Sequence, residues 1–186
     1  MLIAGIICVI SLVLIGLMAL GSSNSGPSPV SLAAKFNVLT KISTKYGPKL
    51  RTSALQDTNS ALKASLTTAN QSLSPIMAAN GANSKQATAQ IAQLSNTTEI
   101  EKRLDDAALN STLDETYSRE ITYLLQDAMI TMDRLYRSTN SKTVRDFLEK
   151  TTNDFKNLYK QFGGTVEDNS QASLFTHQSI AQPSQI

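Results

Sequence analysis

The sequence predicts an all-α protein, with one N-terminal transmembrane helix followed by an antiparallel four-helix bundle. Two observations lead to this fold class. Apolar residues are continuous over residues 2–20 apart from Gly5, Ser11 and Gly16, and farther along the chain they recur at intervals of three and four in four separate stretches. Strand-like alternation with hairpin turns is absent from the sequence. Helices with one apolar face gain most of their stability by packing those faces together, so a bundle is expected.

The apolar run at residues 2–20 predicts a membrane anchor. A helix of this length spans ~28 Å, close to the thickness of the bilayer hydrocarbon. A secretory signal peptide has a shorter apolar core of ~7–15 residues. We therefore expect residues 1–21 to remain attached as an anchor, with the lipid bilayer as the partner of residues 2–20. The small residues of Ala19-Leu20-Gly21 leave cleavage as an alternative.

The orientation of this anchor is predicted from charge and composition together. Five basic residues precede Asp57, the first acidic residue, and the positive-inside rule would place them in the cytoplasm. However, they begin well beyond the apolar run, and folded domains translocate largely regardless of charge. The rest of the chain is rich in Ser, Thr and Asn. The only cysteine of the sequence, Cys8, lies inside the apolar run. We predict a single-pass membrane protein whose folded part lies outside the cytoplasm.

Residues 22–28 are rich in Gly and Ser and predict a flexible linker, after which the first two helices of the bundle follow. The first is expected over residues 29–46, where Pro29 suits an early helix position. The second is expected over residues 48–74, with an apolar stripe that includes Ala54 and Ala61, and Pro75 stops or kinks it. The connection that follows holds a short helix at about residues 85–94.

The second half of the bundle is predicted as two more helical stretches. One begins near Thr98 and bends at Asn110-Ser111 before a regular run of apolar residues that ends at Leu135. The other has Ser141 as its N-cap and ends at Gly163-Gly164. The bundle as a whole covers residues 29–162. Residues 163–186 are predicted to be a polar, disordered tail.

Several short motifs between Gly47 and Phe162 resemble a family of bacterial exported ferritin-like bundles of mostly unknown function. The stretch Leu113-Asp114-Glu115-Thr116-Tyr117 resembles the family's Phe-Asp-x-x-Tyr pattern. Val144-Arg145-Asp146-Phe147-Leu148, followed by Thr151-Thr152-Asn153, resembles its last helix, and Gly47-Pro48 stands at its Asp-Pro position. The resemblance implies a ferritin-like four-helix bundle located at the outer membrane or in the periplasm.

The departures from this family concern its metal ligands. The family carries a histidine in each of the second, third and fourth helices, and the corresponding positions here are Ala61, Leu125 and Leu158. The only histidine of the chain, His177, lies in the predicted tail. A ferritin-like di-iron centre needs Glu-x-x-His pairs, and none occurs. We therefore expect no metal site and no cofactor.

Two charged stretches are candidate binding sites. Glu99, Glu101, Asp105 and Asp106, with Asp114 and Glu115, could hold a divalent cation, since Glu101 and Asp105 share a helix face. Lys41, Lys45, Lys49 and Arg51 could contact anionic lipid headgroups. For both stretches the favoured interpretation is a solvated helix face. Three Asn-x-Ser/Thr triplets, at Asn70, Asn96 and Asn110, are expected by chance in this composition. Core or core-edge positions are expected for Tyr117, Met129, Met132, Tyr136 and Tyr159.

Composition excludes several function classes. The net charge of +2 is too balanced for a nucleic-acid partner. The predicted bundle has no histidine base for nucleophilic catalysis, and the sequence has no Gly-rich phosphate loop, so no catalytic residue and no small-molecule substrate is expected. We predict a non-enzymatic envelope protein, a structural or protein-interaction module with an unidentified envelope partner. The alternatives are a ferritin-like metal-binding or redox stress protein and a sensor-like helical ectodomain.

Overall fold

The computed structural model describes residues 27–82 and 84–165, and every regular element in these residues is helical. The predicted all-α class is confirmed for this part of the chain. A short 3-10 turn at Gly47–Lys49 follows the first helix. The six α-helices are α1 (Pro29–Tyr46), α2 (Ser53–Ala79), α3 (Lys85–Leu94), α4 (Thr98–Leu109), α5 (Leu113–Ser138) and α6 (Lys142–Gln161).

Side-chain caps explain where several helices begin. Ser28 and Ser31 form a capping box at the start of α1, with Pro29 in its first turn. At α6 the side chain of Ser141 accepts a hydrogen bond from the Val144 N–H, which confirms the predicted N-cap. Gly163 has a φ of +89° just beyond α6, a conformation that glycine adopts without strain.

Two predicted boundaries are wrong. The second helix begins at Ser53 instead of residue 48, and it continues through Pro75 to Ala79. Pro75 removes a single backbone hydrogen bond from the helix. Ile76 after it is buried and Met77 packs against the core, so the helix continues past the proline. The third stretch divides into α4 and α5 at the predicted bend, where Ser111 takes a φ of +62°.

The four longest helices share one apolar core. α1 packs against α2 and α5, and α6 packs against the same two helices, while α3 lies on α1 and α4 lies on α5. The rings of Phe36 and Phe155 meet in this core with centroids 5.5 Å apart. Tyr117 and Met132 are fully buried, and Met129, Tyr136 and Tyr159 pack at the core edge, as predicted.

No helix in residues 27–82 and 84–165 is long and apolar enough to span a bilayer. The predicted anchor at residues 1–21 lies outside the described residues. So do most of the predicted linker and, from residue 166 onward, the predicted tail with His177.

Candidate functional site

The positions that correspond to the family's histidines do not converge. Leu125 and Leu158 are buried in the shared core, whereas Ala61 is exposed on α2. The predicted stripe of α2 is therefore wrong at Ala54 and Ala61, since both are exposed. The helix instead buries the face that carries Leu62, Leu66, Ala69, Leu73 and Ile76.

The acidic and basic stretches, considered as separate sites in the sequence, meet each other in the structure. Lys45 Nζ lies 2.6 Å from Glu101 Oε2 and 3.8 Å from Asp105 Oδ2, and Lys49 Nζ lies 3.9 Å from Asp105 Oδ1. The hydrogen bond from Lys45 holds the pKa of Glu101 below its ordinary value. These contacts attach α4 to α1. Within the described residues no group of three or more His, Cys, Asp or Glu side chains is placed to hold a metal ion.

Tyr46 lies at the centre of this charged contact. Its hydroxyl donates to Asp105 Oδ1 at 2.8 Å and lies 3.0 Å from the backbone oxygen of Glu101. The ammonium groups of Lys45 and Lys49 lie 5.2 and 4.9 Å from the centroid of its ring, within cation–π distance. Burial raises the pKa of the Tyr46 hydroxyl. The arrangement joins α1 to α4.

Asp114 has a different role from the rest of the acidic stretch. From the first turn of α5 its carboxylate accepts hydrogen bonds from the backbone N–H of Arg51 and of Thr52, at 3.0 and 2.8 Å, and from the Thr52 hydroxyl at 2.6 Å. Burial alone would raise the pKa of Asp114, but these hydrogen bonds outweigh it and hold that pKa below its ordinary value. Asp114 thus satisfies donors that precede α2 and connects the start of that helix to α5.

A buried polar contact joins three of the four long helices. The Tyr117 hydroxyl of α5 donates to Asn59 Oδ1 of α2, and Asn59 Nδ2 donates to the backbone oxygen of Ser43 in α1 at 3.3 Å. Gly47 lies so close to Asn59 that a Cβ atom there would overlap its side-chain amide. Burial raises the pKa of the Tyr117 hydroxyl, so it stays protonated and acts as a donor. Hydrogen bonding satisfies both polar side chains, and the contact fits a structural role.

Two further ion pairs join one helix to another. Arg103 of α4 makes two hydrogen bonds to the largely buried carboxylate of Glu120, at 2.8 and 2.9 Å, and Lys35 of α1 pairs with Asp127 of α5. In the described part of the chain no fully buried side-chain nitrogen or oxygen lacks a hydrogen-bond partner. These two ion pairs hold α4 and α1 against α5.

A shallow cleft of about 240 Å³ lies between α2 and α6. Its polar lining includes Asp146 and Asp154, which are hydrogen bonded to Lys142 and Lys150 at 2.7 and 2.8 Å. Hydroxyl groups of Ser65 and its neighbours complete the wall. Among these lining residues no hydrogen bond joins a hydroxyl group to a carboxylate.

The surface of α5 that points away from the core carries an unusual set of residues. Tyr123 and Ile130, two turns apart, are 65% and 46% exposed. Arg119 and Arg134 flank them and form no ion pair with any described residue, and Gln126 lies between them. These five positions follow one another at spacings of three and four, so they form one face, which we call the outer α5 stripe. The seven-residue separation of Tyr123 and Ile130 is visible in the sequence, but the stronger apolar stripe on the opposite face of α5 obscured it.

No protein-family model matches the chain, and no curated protein or solved structure is significantly similar to it. The resemblance to exported ferritin-like bundles therefore stays a prediction.

Proposed function

We propose that this chain is a non-enzymatic structural or protein-interaction module of the cell envelope, anchored by residues 1–21 with its helices outside the cytoplasm. The observation that carries the proposal is the outer α5 stripe. Tyrosine and arginine are enriched where proteins bind one another. The shared apolar core on the inner face of α5 supports this surface.

We also propose that α1, α2, α5 and α6 form an antiparallel four-helix bundle of ferritin-like topology. The Asn59–Ser43 hydrogen bond joins the start of α2 to the end of α1, and the Tyr117–Asn59 contact joins the start of α5 to the start of α2. α5 therefore runs parallel to α2, and α3 and α4 form a long crossover between them. One long crossover distinguishes ferritin-like bundles from simple up-and-down ones.

The anchor is tested by deleting residues 1–21. We expect the shortened protein to leave the membrane fraction, because the rest of the chain has no comparable apolar run. Pelleting of the shortened protein with membranes after a high-salt wash would contradict attachment by the anchor alone. For the full chain, external protease should digest the helices; complete protection in cells without an outer barrier would favour a cytoplasmic orientation.

The interaction surface is tested in cells by site-specific photo-crosslinking of the full chain and of a chain that ends at residue 165. A photoreactive amino acid in place of Ile130 should give a discrete adduct with another protein. The matched control replaces Thr67, which is exposed on α2 and lies outside the stripe. The same adducts from both positions, or none from either, would contradict an interaction surface on α5.

The alternative, a ferritin-like metal-binding or redox protein, is separated from this proposal by metal analysis of the purified protein. Stoichiometric iron, manganese or zinc that survives chelation and dialysis would favour the alternative. We expect none, because hydrophobic packing occupies the Leu125 and Leu158 positions.

A further inference from the structure

We infer that the C-terminal segment of this chain, residues 166–186, docks on the outer α5 stripe and covers Tyr123 and Ile130. The inference rests on the proposed function in one respect, namely that it uses the same surface. It adds an intramolecular occupant for that surface.

The first argument is where α6 ends. The backbone oxygen of Phe162, at the end of α6, accepts hydrogen bonds from the hydroxyls of Ser118 at 2.6 Å and Thr122 at 3.4 Å. Ser118 precedes Arg119 and Thr122 precedes Tyr123 in the same helix. The chain that continues from Phe162 therefore starts beside the first half of the stripe.

The second argument is reach. Ile130 lies eight positions beyond Thr122, a distance of ~12 Å along a helix. An extended chain covers ~3.3 Å per residue, so a few residues beyond Phe162 are enough to reach it. Leu174 and Phe175, the most apolar pair of the segment, can thus lie over Tyr123 and Ile130 without strain.

The third argument is charge. Residues 166–186 contain Glu167 and Asp168 and no Lys or Arg. The stripe is the reverse, since it contains Arg119 and Arg134 and no carboxylate. The order of the charges along the segment also agrees with their order along the stripe. The acidic pair comes first in the segment, and Arg119 is the arginine nearest to Phe162. Opposite charges in this order set the register of the contact.

The same charges disfavour a second copy of the chain as the occupant. If two stripes packed antiparallel, Arg119 of one would lie opposite Arg134 of the other, and parallel packing would bring identical arginines together. Like charges at an interface carry a free-energy cost. An acidic segment from the same chain avoids this repulsion and is present at a high effective concentration.

The test measures the accessibility of one stripe position by thiol labelling. Ile130→Cys is placed in a Cys8→Ser background, and its reaction with a polar maleimide is compared between the full chain and a chain that ends at residue 165, both in neutral detergent. We expect the full chain to react several-fold more slowly. A Thr67→Cys control should react equally in both chains. Equal rates at position 130 would overturn the inference.

Two further measurements identify the occupant. With Phe175→Cys added, mild oxidation of the full chain should give a disulfide within one chain, and Arg119→Glu should reduce its yield. A disulfide-linked dimer would assign the stripe to a second copy. Protection of Ile130→Cys in the shortened chain by phosphatidylglycerol vesicles, with no difference between chain lengths in detergent, would assign it to an anionic membrane. Either result overturns the inference, whereas photo-crosslinking of the chain that ends at residue 165 tests the proposed function separately.

Discussion

The two faces of α5 both carry apolar residues, but on one face these residues are buried and on the other they are exposed. The inner face carries Tyr117, Ile121, Leu125, Ala128 and Met132, which are fully buried, and its spacing of three and four follows from the helix geometry. The outer face carries exposed apolar residues that packing within the described chain does not require. The inner face therefore accounts for the fold, whereas the outer face is the basis of the proposed interaction surface.

The largest expected effect concerns the inner face. Leu125 is fully buried, and Leu125→Ala removes apolar contacts and leaves a cavity, so we expect it to lower the free energy of unfolding by about 2–5 kcal/mol. Urea unfolding followed by helical circular dichroism measures this change. The control is the same substitution at Leu109, which is 85% exposed, where we expect about 0.5 kcal/mol or less. Equal midpoints for the two variants would contradict the assigned inner face.

The next effect compares two tyrosines of the same helix. Tyr117→Phe removes the donor to buried Asn59, and we expect a loss of about 1–3 kcal/mol because an unpaired buried acceptor is costly. Tyr123→Phe removes a hydroxyl from an exposed ring, and its effect on unfolding should be within about 0.5 kcal/mol. Thermal or urea unfolding of both variants measures the difference. A larger loss for Tyr123→Phe would reverse the comparison.

A third prediction examines the space around Asn59. Gly47→Ala places a methyl group where the Asn59 amide lies, and overpacking of this kind costs about 1–3 kcal/mol. If the overlap with Asn59 is the cause, the same substitution should cost much less in an Asn59→Ala background. A double-mutant cycle in urea measures this coupling. Additive effects would mean that Gly47 is required for another reason.

The sequence predicted the helices and the inner face of α5 well, because both depend on local periodicity and capping. Pro75 was misread since the burial of Ile76 beyond it is a tertiary effect that overrides a local breaker. The pairing of Lys45 with Glu101 could not be predicted from local sequence, because those residues are far apart in the chain and meet only when α4, which lies on α5, comes beside the end of α1. The outer α5 stripe is only weakly visible in the sequence, as two apolar residues seven positions apart on a polar helix face.

The smallest expected effect concerns α4, which lies on α5 and is attached to α1 by the contact between Lys45 and Glu101. That contact lowers the pKa of Glu101 in the folded state, so its contribution to stability is present above the ordinary carboxyl pKa of ~4.3 and is lost as the pH falls through the folded value. Glu101→Gln should therefore reduce the loss of unfolding free energy between about pH 5 and pH 3. The control is Glu115→Gln, an exposed carboxylate that forms no ion pair with a described residue, and this variant should keep the wild-type acid dependence. If Glu101→Gln retains the full acid dependence while Glu115→Gln reduces it, the contact with Lys45 is not what attaches α4.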